Sequence, residues 1–189
     1  MVRSSAIFLT TILMGFSALG IPVEGIVDYS GNQPVLFINS QSAFKLVGQN
    51  SIVNRSLKRL KTGDYVQGEA AIDFSKRTLR LKTIDIVGLQ NLLGTWESTQ
   101  ADLYQFRDFK NLHLYRAGQV FTPTKGQRWS YKIAPGDGSS WSIFISQKDQ
   151  IFFGTIDFGN SGLEMSFFDL NGANVFHDSF RPVQSFSTW

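Results

Sequence analysis

The second half of the sequence is dominated by short segments in which apolar and polar residues alternate. The stretch 129–133 is one example, and similar segments follow up to residue 180. Alternation with a period of two is typical of a β-strand that buries one face. Turn sequences rich in Gly, Asn and Asp separate the segments, as at 135–138, 159–162 and 171–172. Because such short turns join adjacent strands, the pattern predicts a series of antiparallel hairpins.

Eight strands are expected in this half of the chain. They are predicted at 94–98, 103–107, 112–116, 129–133, 141–146, 151–158, 163–170 and 174–180. Eight sequential antiparallel strands can close into an up-and-down barrel, which removes exposed edges and can leave room for one small ligand. The composition agrees, because 17 Phe residues and no Cys among 189 residues give an aromatic core without disulfides.

The first half predicts a smaller β structure with one helix. Its expected elements are strands 23–29, 34–38 and 44–47, an amphipathic helix at 51–60, and strands 65–72 and 78–87. This is the element order of a five-stranded Greek-key barrel. The segment Leu60-Lys61-Thr62-Gly63-Asp64-Tyr65-Val66-Gln67-Gly68 resembles the passage from the helix to the fourth strand of OB-fold domains. The resemblance implies a small OB-like barrel over residues 21–92.

Charge and aromatic content change near residue 93. Residues 21–94 contain nine Lys and Arg against six Asp and Glu, a net charge of +3, whereas residues 95–189 contain eight against nine, a net charge of −1. All four Trp and twelve of the 17 Phe lie in the second stretch. Such a shift is typical of a domain boundary, so we expect one domain at 21–92 and a second at 93–189.

Residues 1–20 differ from the rest and predict a secretory signal peptide. Arg3 provides a positive start, residues 6–19 carry no charge, and Ala18-Leu19-Gly20 places small residues at a cleavage site. The alternative is a retained membrane anchor, but 14 uncharged residues are short of the ~20 that span a bilayer. Together with the absence of cysteine, the segment predicts a bacterial periplasmic or secreted protein without a stable transmembrane span after cleavage.

The start and end of the second half carry a further resemblance. Leu93-Gly94-Thr95-Trp96 opens the first of the eight strands, and Phe180-Arg181 closes the last. A Gly-x-Trp triplet followed by a chain of hairpins resembles the bacterial lipocalin-like (calycin) barrels over residues 93–181. The resemblance implies that Gly94, Trp96 and Arg181 close the barrel, with the Trp96 ring against the Arg181 guanidinium in a cation–π contact.

The function expected from these patterns is binding without catalysis. We expect a small apolar ligand, or a partner surface, to contact Trp129, Tyr131, Trp141, Ile143 and Phe153. The alternative is a structural or interaction component of a cell-envelope assembly, in which both barrels are filled and the partner is an envelope protein. Consecutive aromatic residues at 152–153 and 167–168 must point to opposite faces of their strands, so one aromatic face lies outside the barrel. That face packs on the first domain or binds a partner.

Other classes of function are disfavoured. The sequence has no Gly-x-Ser-x-Gly elbow, no phosphate-binding glycine motif and only two histidines, so we expect no enzyme, metal or cofactor. A basic patch at Arg55, Lys58, Arg59 and Lys61 raises the question of nucleic acid. The export signal and the lack of aromatic residues between the basic ones argue against it. The patch is expected to be a solvated helix face or to meet an anionic lipid, glycan or protein.

Overall fold

The structure is a computed structural model that describes residues 20–39, 42–119, 126–160, 162–169 and 171–183. The predicted signal peptide, apart from Gly20, lies outside the described residues. The first half contains β1 (Ile21–Ser30), β2 (Gln33–Asn39), β3 (Ser42–Gly48), helix α1 (Ser51–Arg59), β4 (Tyr65–Asp73), β5 (Thr78–Leu81) and β6 (Ile86–Gly88). A 3-10 turn at Gln90–Leu92 follows. The second half contains β7 (Gly94–Ser98), β8 (Leu103–Phe106), β9 (Asn111–Tyr115), β10 (Gln127–Pro135), β11 (Trp141–Gln147), β12 (Gln150–Phe158), β13 (Leu163–Phe168) and β14 (Asn174–Pro182).

Strands β7 to β14 form a closed barrel, named here the eight-strand barrel. Each strand pairs antiparallel with the next along the chain, and β14 pairs with β7 to complete the circle. The all-β class and the closed up-and-down arrangement predicted from the alternating segments are therefore confirmed. All eight predicted strands are present, with ends that differ by a few residues from the predicted ones.

Side chains of the eight-strand barrel alternate between its interior and its outer surface. On β11, Trp141, Ile143 and Ile145 are buried, whereas Phe144 between them is 44% exposed. The register continues this inner face across the sheet, because Ile143 lies opposite Ile133 on one side and Gly154 on the other. The apolar half of the alternation thus fills the barrel interior, as a period of two requires.

Strands β1 to β5 close on one another in a second arrangement, named here the five-strand ring. The pairing order is β1-β2-β3-β5-β4, with β4 returning to β1, and the pair β3–β5 is parallel. Strand β1 serves two partners, because residues 21–26 pair with β4 and residues 26–30 pair with β2. Gly25 lies where the two pairings meet, and a Cβ there would lie 2.2 Å from the Phe37 carbonyl oxygen. Glycine therefore permits this close approach.

The predicted strand 78–87 is broken into β5 and β6, which corrects the sequence interpretation. The break lies over Gly68 of β4, where a Cβ would be 2.2 Å from the Thr83 carbonyl oxygen. Lys82 and Thr83 both donate backbone bonds to Glu69, so the chain bulges instead of continuing the ladder. After the bulge, β6 pairs with β4 and, at Val87 opposite Ile133, with β10. All fourteen strands consequently belong to one hydrogen-bonded sheet.

Helix α1 connects β3 to β4 as the amphipathic pattern predicts. The Asn50 side chain accepts the Val53 N–H at 2.9 Å and caps the first turn. Val53 and Leu57 are buried. Lys58 and Arg59 lie in the last turn, where the helix dipole stabilises positive charge. The Tyr29 hydroxyl donates to the carbonyls of Leu57 and Leu60, which fixes the end of the helix on β1. Arg59 is thereby directed toward the eight-strand barrel.

Candidate functional site

A cavity lies at one end of the eight-strand barrel, named here the open end. This end carries the turns β7–β8, β11–β12 and β13–β14 and the longer β9–β10 connection, of which residues 120–125 are outside the described residues. The cavity has a volume of about 240 Å³. Its walls include the inward-facing side chains of Leu112, Leu114, Ile145, Phe167 and Phe176, with Phe152 and Val175 at the mouth. The walls are therefore mainly apolar.

The five predicted ligand residues do not meet at this cavity. Trp129 is part of its wall. Tyr131, Trp141 and Ile143 also point inward but lie deeper in the barrel, where they are buried and fill the interior. Phe153 lies on the outer surface, 42% exposed, opposite Phe144. The structure thus places one predicted residue at the cavity, three in the packed core beneath it and one outside the barrel.

The position of Phe153 follows from strand periodicity. Because Ile156 and Gly154 face the interior, Phe152 shares their face and Phe153 shares the face of Thr155 and Asp157. The polar character of those two neighbours is the signal that identifies the outer face. The sequence interpretation also omitted the cavity residues Tyr104, Leu112, Leu114, Arg116, Ile145, Phe152, Phe167, Val175 and Phe176. For those on predicted strands, the same alternation rule would have found the inward-facing ones.

Two polar residues, Arg116 and Tyr104, contribute to the cavity wall. The Arg116 Nη1 donates to Asp102 Oδ2 at 2.6 Å, and the Ala117 N–H donates to Asp102 Oδ1 at 2.8 Å. Asp102 is buried, so the pair fixes the start of the β9–β10 connection at the rim. Tyr104 lies beside this pair, and burial together with the negative charge of Asp102 raises the pKa of its hydroxyl to about 12. At neutral pH the Tyr104 side chain is therefore a neutral hydroxyl, and Arg116 is paired with Asp102.

Two polar atoms near the cavity are buried without a hydrogen-bond partner. They are Asp178 Oδ2 and Trp129 Nε1. The other oxygen of Asp178 accepts from the Thr99 N–H, the Thr99 hydroxyl and the Ser179 N–H. A buried polar atom without a partner costs about 1–3 kcal/mol. Among the described residues, His113 Nδ1 on β9 and Gln67 Oε1 on β4 are also buried without a partner, so such atoms are not confined to the open end.

The predicted cation–π contact between Trp96 and Arg181 is not formed, although β7 and β14 pair as expected. Trp96 points inward, and its Nε1 donates to the Leu92 carbonyl at 2.9 Å. Arg181 points outward, where its Nη2 lies 2.7 Å from Glu97 Oε2 and its side chain is 77% exposed. The register explains the separation, because Arg181 lies opposite Glu97 and Trp96 lies opposite Pro182, on the other face. Gly94 begins β7 with a φ of +131°, a value that side-chain-bearing residues rarely adopt.

Arg59 of helix α1 makes the cation–π contact at the other end of the barrel, named here the closed end. Its guanidinium carbon lies 4.2 Å from the centre of the Trp141 ring. Nη1 donates to Gly136 O at 3.2 Å, and Nη2 donates to Ser139 O and Ser140 O, both at 2.6 Å. Burial lowers the pKa of Arg59, and the charge of Asp157 opposes that change. The β10–β11 turn is thus held by a residue of the five-strand ring's helix.

The predicted basic patch is therefore smaller than expected. Arg55, Lys58 and Lys61 are exposed, but Arg59 is half-buried and points to the eight-strand barrel.

In the described parts of the chain, no cluster of three or more His, Cys, Asp or Glu side chains is arranged to hold a metal ion. Among the same residues, no helix combines the length and apolar character that spanning a membrane requires. Comparison with protein-family models, curated proteins and solved structures gave no match to this chain.

Proposed function

We propose that this protein is a non-catalytic binding protein whose eight-strand barrel holds a small apolar ligand at its open end. The observation that supports the proposal is the cavity of about 240 Å³, whose walls consist mainly of aliphatic and aromatic side chains. Concave, mostly apolar sites with a few polar groups are the usual form of small-molecule sites. Tyr104 and Arg116 provide the polar groups at this cavity.

The size of the cavity limits the ligand. At about 240 Å³, the cavity is smaller than the roughly 300–1,000 Å³ pockets that hold drug-sized ligands. We infer a ligand with a short chain or one or two rings. Catalysis is not proposed, because the described residues that line the cavity include no carboxylate, imidazole or lysine side chain that could act as a general base.

We infer further that the eight-strand barrel is lipocalin-like and that the five-strand ring is OB-like. The first inference is supported by eight sequential antiparallel strands behind the Gly94-Thr95-Trp96 triplet. The second is supported by the pairing order β1-β2-β3-β5-β4-β1, the parallel β3–β5 pair and the helix between β3 and β4. On this proposal, residues 21–92 and 93–189 are two domains of an exported bacterial protein that acts in the periplasm or outside the cell.

A second function is favoured by the deeper part of the barrel. Ile143, Ile156 and Met165 are each 0% exposed, so this part of the interior is filled. A filled barrel suits a structural component of a cell-envelope assembly that binds a protein partner through its outer surface. The two proposals differ in one measurable property, which is binding of a small apolar molecule at the open end.

Titration with naphthalene tests the ligand proposal. We expect saturable binding to the full chain, detected by a change in Trp fluorescence, because Trp129 borders the cavity. The substitution Val175→Trp places a large ring at the mouth and should abolish binding. The matched control is Val47→Trp, at an exposed position of the five-strand ring, which should bind as the wild type does. Absence of binding to the wild type, or equal binding by Val175→Trp, contradicts the proposal.

A further inference from the structure

A row of three phenylalanines crosses the outer surface of the eight-strand barrel. Phe144 of β11 lies opposite Phe153 of β12, and Phe153 lies opposite Phe168 of β13. Their ring centres are separated by 5.1 Å and 6.2 Å, so each ring contacts the next. These residues are named here the outer aromatic row. Outer positions of a barrel in water are normally polar, so contiguous aromatic rings there indicate an interaction surface.

The outer aromatic row is accessible and extends toward the open end. Phe144 and Phe153 are 44% and 42% exposed, and Phe168 is half-buried. Ile151, two residues before Phe153 on the same face, is 74% exposed. Because Ile151 lies next to the β11–β12 turn, the apolar surface reaches the end of the barrel that carries the cavity mouth.

The flank of the row on β10 is basic. Lys132 lies directly opposite Phe144, and both line a groove of about 480 Å³ together with Lys110, Ile86 and Ile151. The other residues of this groove are Ser130, Tyr131 and Ser146, so none of its lining side chains is acidic. Asp157 and Glu164 face each other lower on the outer surface, toward the closed end. The rings and Lys132 therefore lie together, apart from these two carboxylates, whereas Lys110 lies beside Asp108, whose Oδ1 accepts the Lys110 N–H at 2.8 Å.

We propose that the outer aromatic row, with Ile151, Lys110 and Lys132, binds the surface of a bilayer that contains anionic lipid. Apolar side chains that enter the headgroup region beside lysines that meet anionic headgroups are the two components of interfacial binding. Phe153 is the middle residue of the row on a convex surface, so it enters deepest. Lys132 lies one strand beyond Phe144 and reaches the headgroups from the flank.

This contact would bring the cavity mouth close to the lipid. Ile151 and Phe152 are consecutive, and Phe152 belongs to the cavity mouth whereas Ile151 belongs to the proposed membrane face. A barrel held in this way receives an apolar ligand from the bilayer without passage through water. The membrane proposal nevertheless stands on the outer surface alone and does not depend on occupancy of the cavity.

Vesicle co-flotation of the full chain tests the proposal. The probes are vesicles of phosphatidylcholine alone and vesicles of phosphatidylcholine with an equal amount of phosphatidylglycerol. We expect binding to the mixed vesicles at low salt, and at least tenfold weaker binding for Phe153→Ser and for Ile151→Ser, because each removes a large inserted side chain. The matched control is Phe74→Ser, whose aromatic ring is 75% exposed on the five-strand ring and should not affect binding.

Charge variants test whether the lysines beside the outer aromatic row, and not the basic patch on helix α1, bind the anionic lipid. Lys132→Gln should weaken binding to the mixed vesicles about fivefold, since each lysine near an anionic surface contributes about 1 kcal/mol, whereas Lys58→Gln should leave it unchanged. The proposal fails if the wild type floats with neither vesicle type, if Phe153→Ser and Ile151→Ser bind normally, or if Lys58→Gln shows the larger loss. Sedimentation that reveals a dimer, converted to monomer by Phe153→Ser, would instead assign the surface to a second copy.

Discussion

The two ends of the eight-strand barrel belong to the same sheet, but one end is covered by a side chain and the other contains a cavity. At the closed end, Arg59 donates to three turn carbonyls and covers Trp141, and the side chains behind it are buried. At the open end, a cavity remains, and Asp178 and Trp129 each keep a buried polar atom without a partner. The comparison indicates that the closed end contributes stability, whereas the open end leaves a cavity and buried polar atoms without protein partners.

The largest expected effect lies at the closed end. Replacing Trp141 by Ala removes a buried ring and the surface on which Arg59 lies, so we expect the free energy of unfolding to fall by about 3–5 kcal/mol. Chemical denaturation measures this change. A loss below about 1 kcal/mol would show that the closed end is not the more stabilising one.

The next effect concerns Arg59 itself. Arg59→Ala removes three hydrogen bonds to carbonyl oxygens and a cation–π contact, and we expect a loss of about 2–3 kcal/mol in the free energy of unfolding. Arg59→Lys keeps the positive charge but lacks the planar guanidinium, so it should lower the free energy of unfolding by a smaller amount than Arg59→Ala does. Arg55→Ala, on the exposed face of the same helix, is the control and should change stability by less than about 0.5 kcal/mol.

A pH experiment examines the open end. Tyr104 ionises near pH 10 when unfolded, and burial raises its pKa to about 12 in the folded chain. The folded state therefore holds the proton more tightly, and this contribution is fully present below about pH 10 and is lost as the pH rises toward 12. We expect a decline of up to about 2 kcal/mol across that range. In Tyr104→Phe the decline should be smaller, and an unchanged profile would show that Tyr104 is not the group responsible.

The smallest expected effect is at the cavity mouth. Val175 is 58% exposed, so Val175→Ala should change the free energy of unfolding by less than about 0.5 kcal/mol. The same substitution should weaken binding of naphthalene, since it removes part of the cavity wall. A stability loss as large as that of Arg59→Ala would remove the distinction between the two ends.

Much of the fold could be predicted because its signals are local. The alternation of Trp141, Ser142 and Ile143 defines a strand and its buried face, and the turn residues between strands set their order. The same rule places Phe153 outside the barrel, since Thr155 and Asp157 share its face. That error came from choosing between two adjacent phenylalanines without extending the alternation along the strand.

The contacts between distant parts of the chain could not be predicted in this way. Arg59 and Gly136 are 77 positions apart, and nothing in the composition of the helix distinguishes Arg59 from Arg55. Arg181 was expected beside Trp96, but whether they share a face depends on the β14–β7 register, which closes the barrel over a long separation. Such registers are set by packing of the whole sheet, and local sequence preferences do not encode them.

Strand β6 has a consequence for how the protein can be dissected. Its three residues pair with β4 of the five-strand ring, and Val87 also pairs with Ile133 on β10 of the eight-strand barrel. A cut near residue 93 would therefore change both halves. The first half would lose the contact of β6 with β10, and the eight-strand barrel would lose Arg59, which covers Trp141 at the closed end. Limited proteolysis should find no cleavable hinge between the halves, and residues 93–189 expressed alone should be less stable than in the full chain, because Arg59 is then absent.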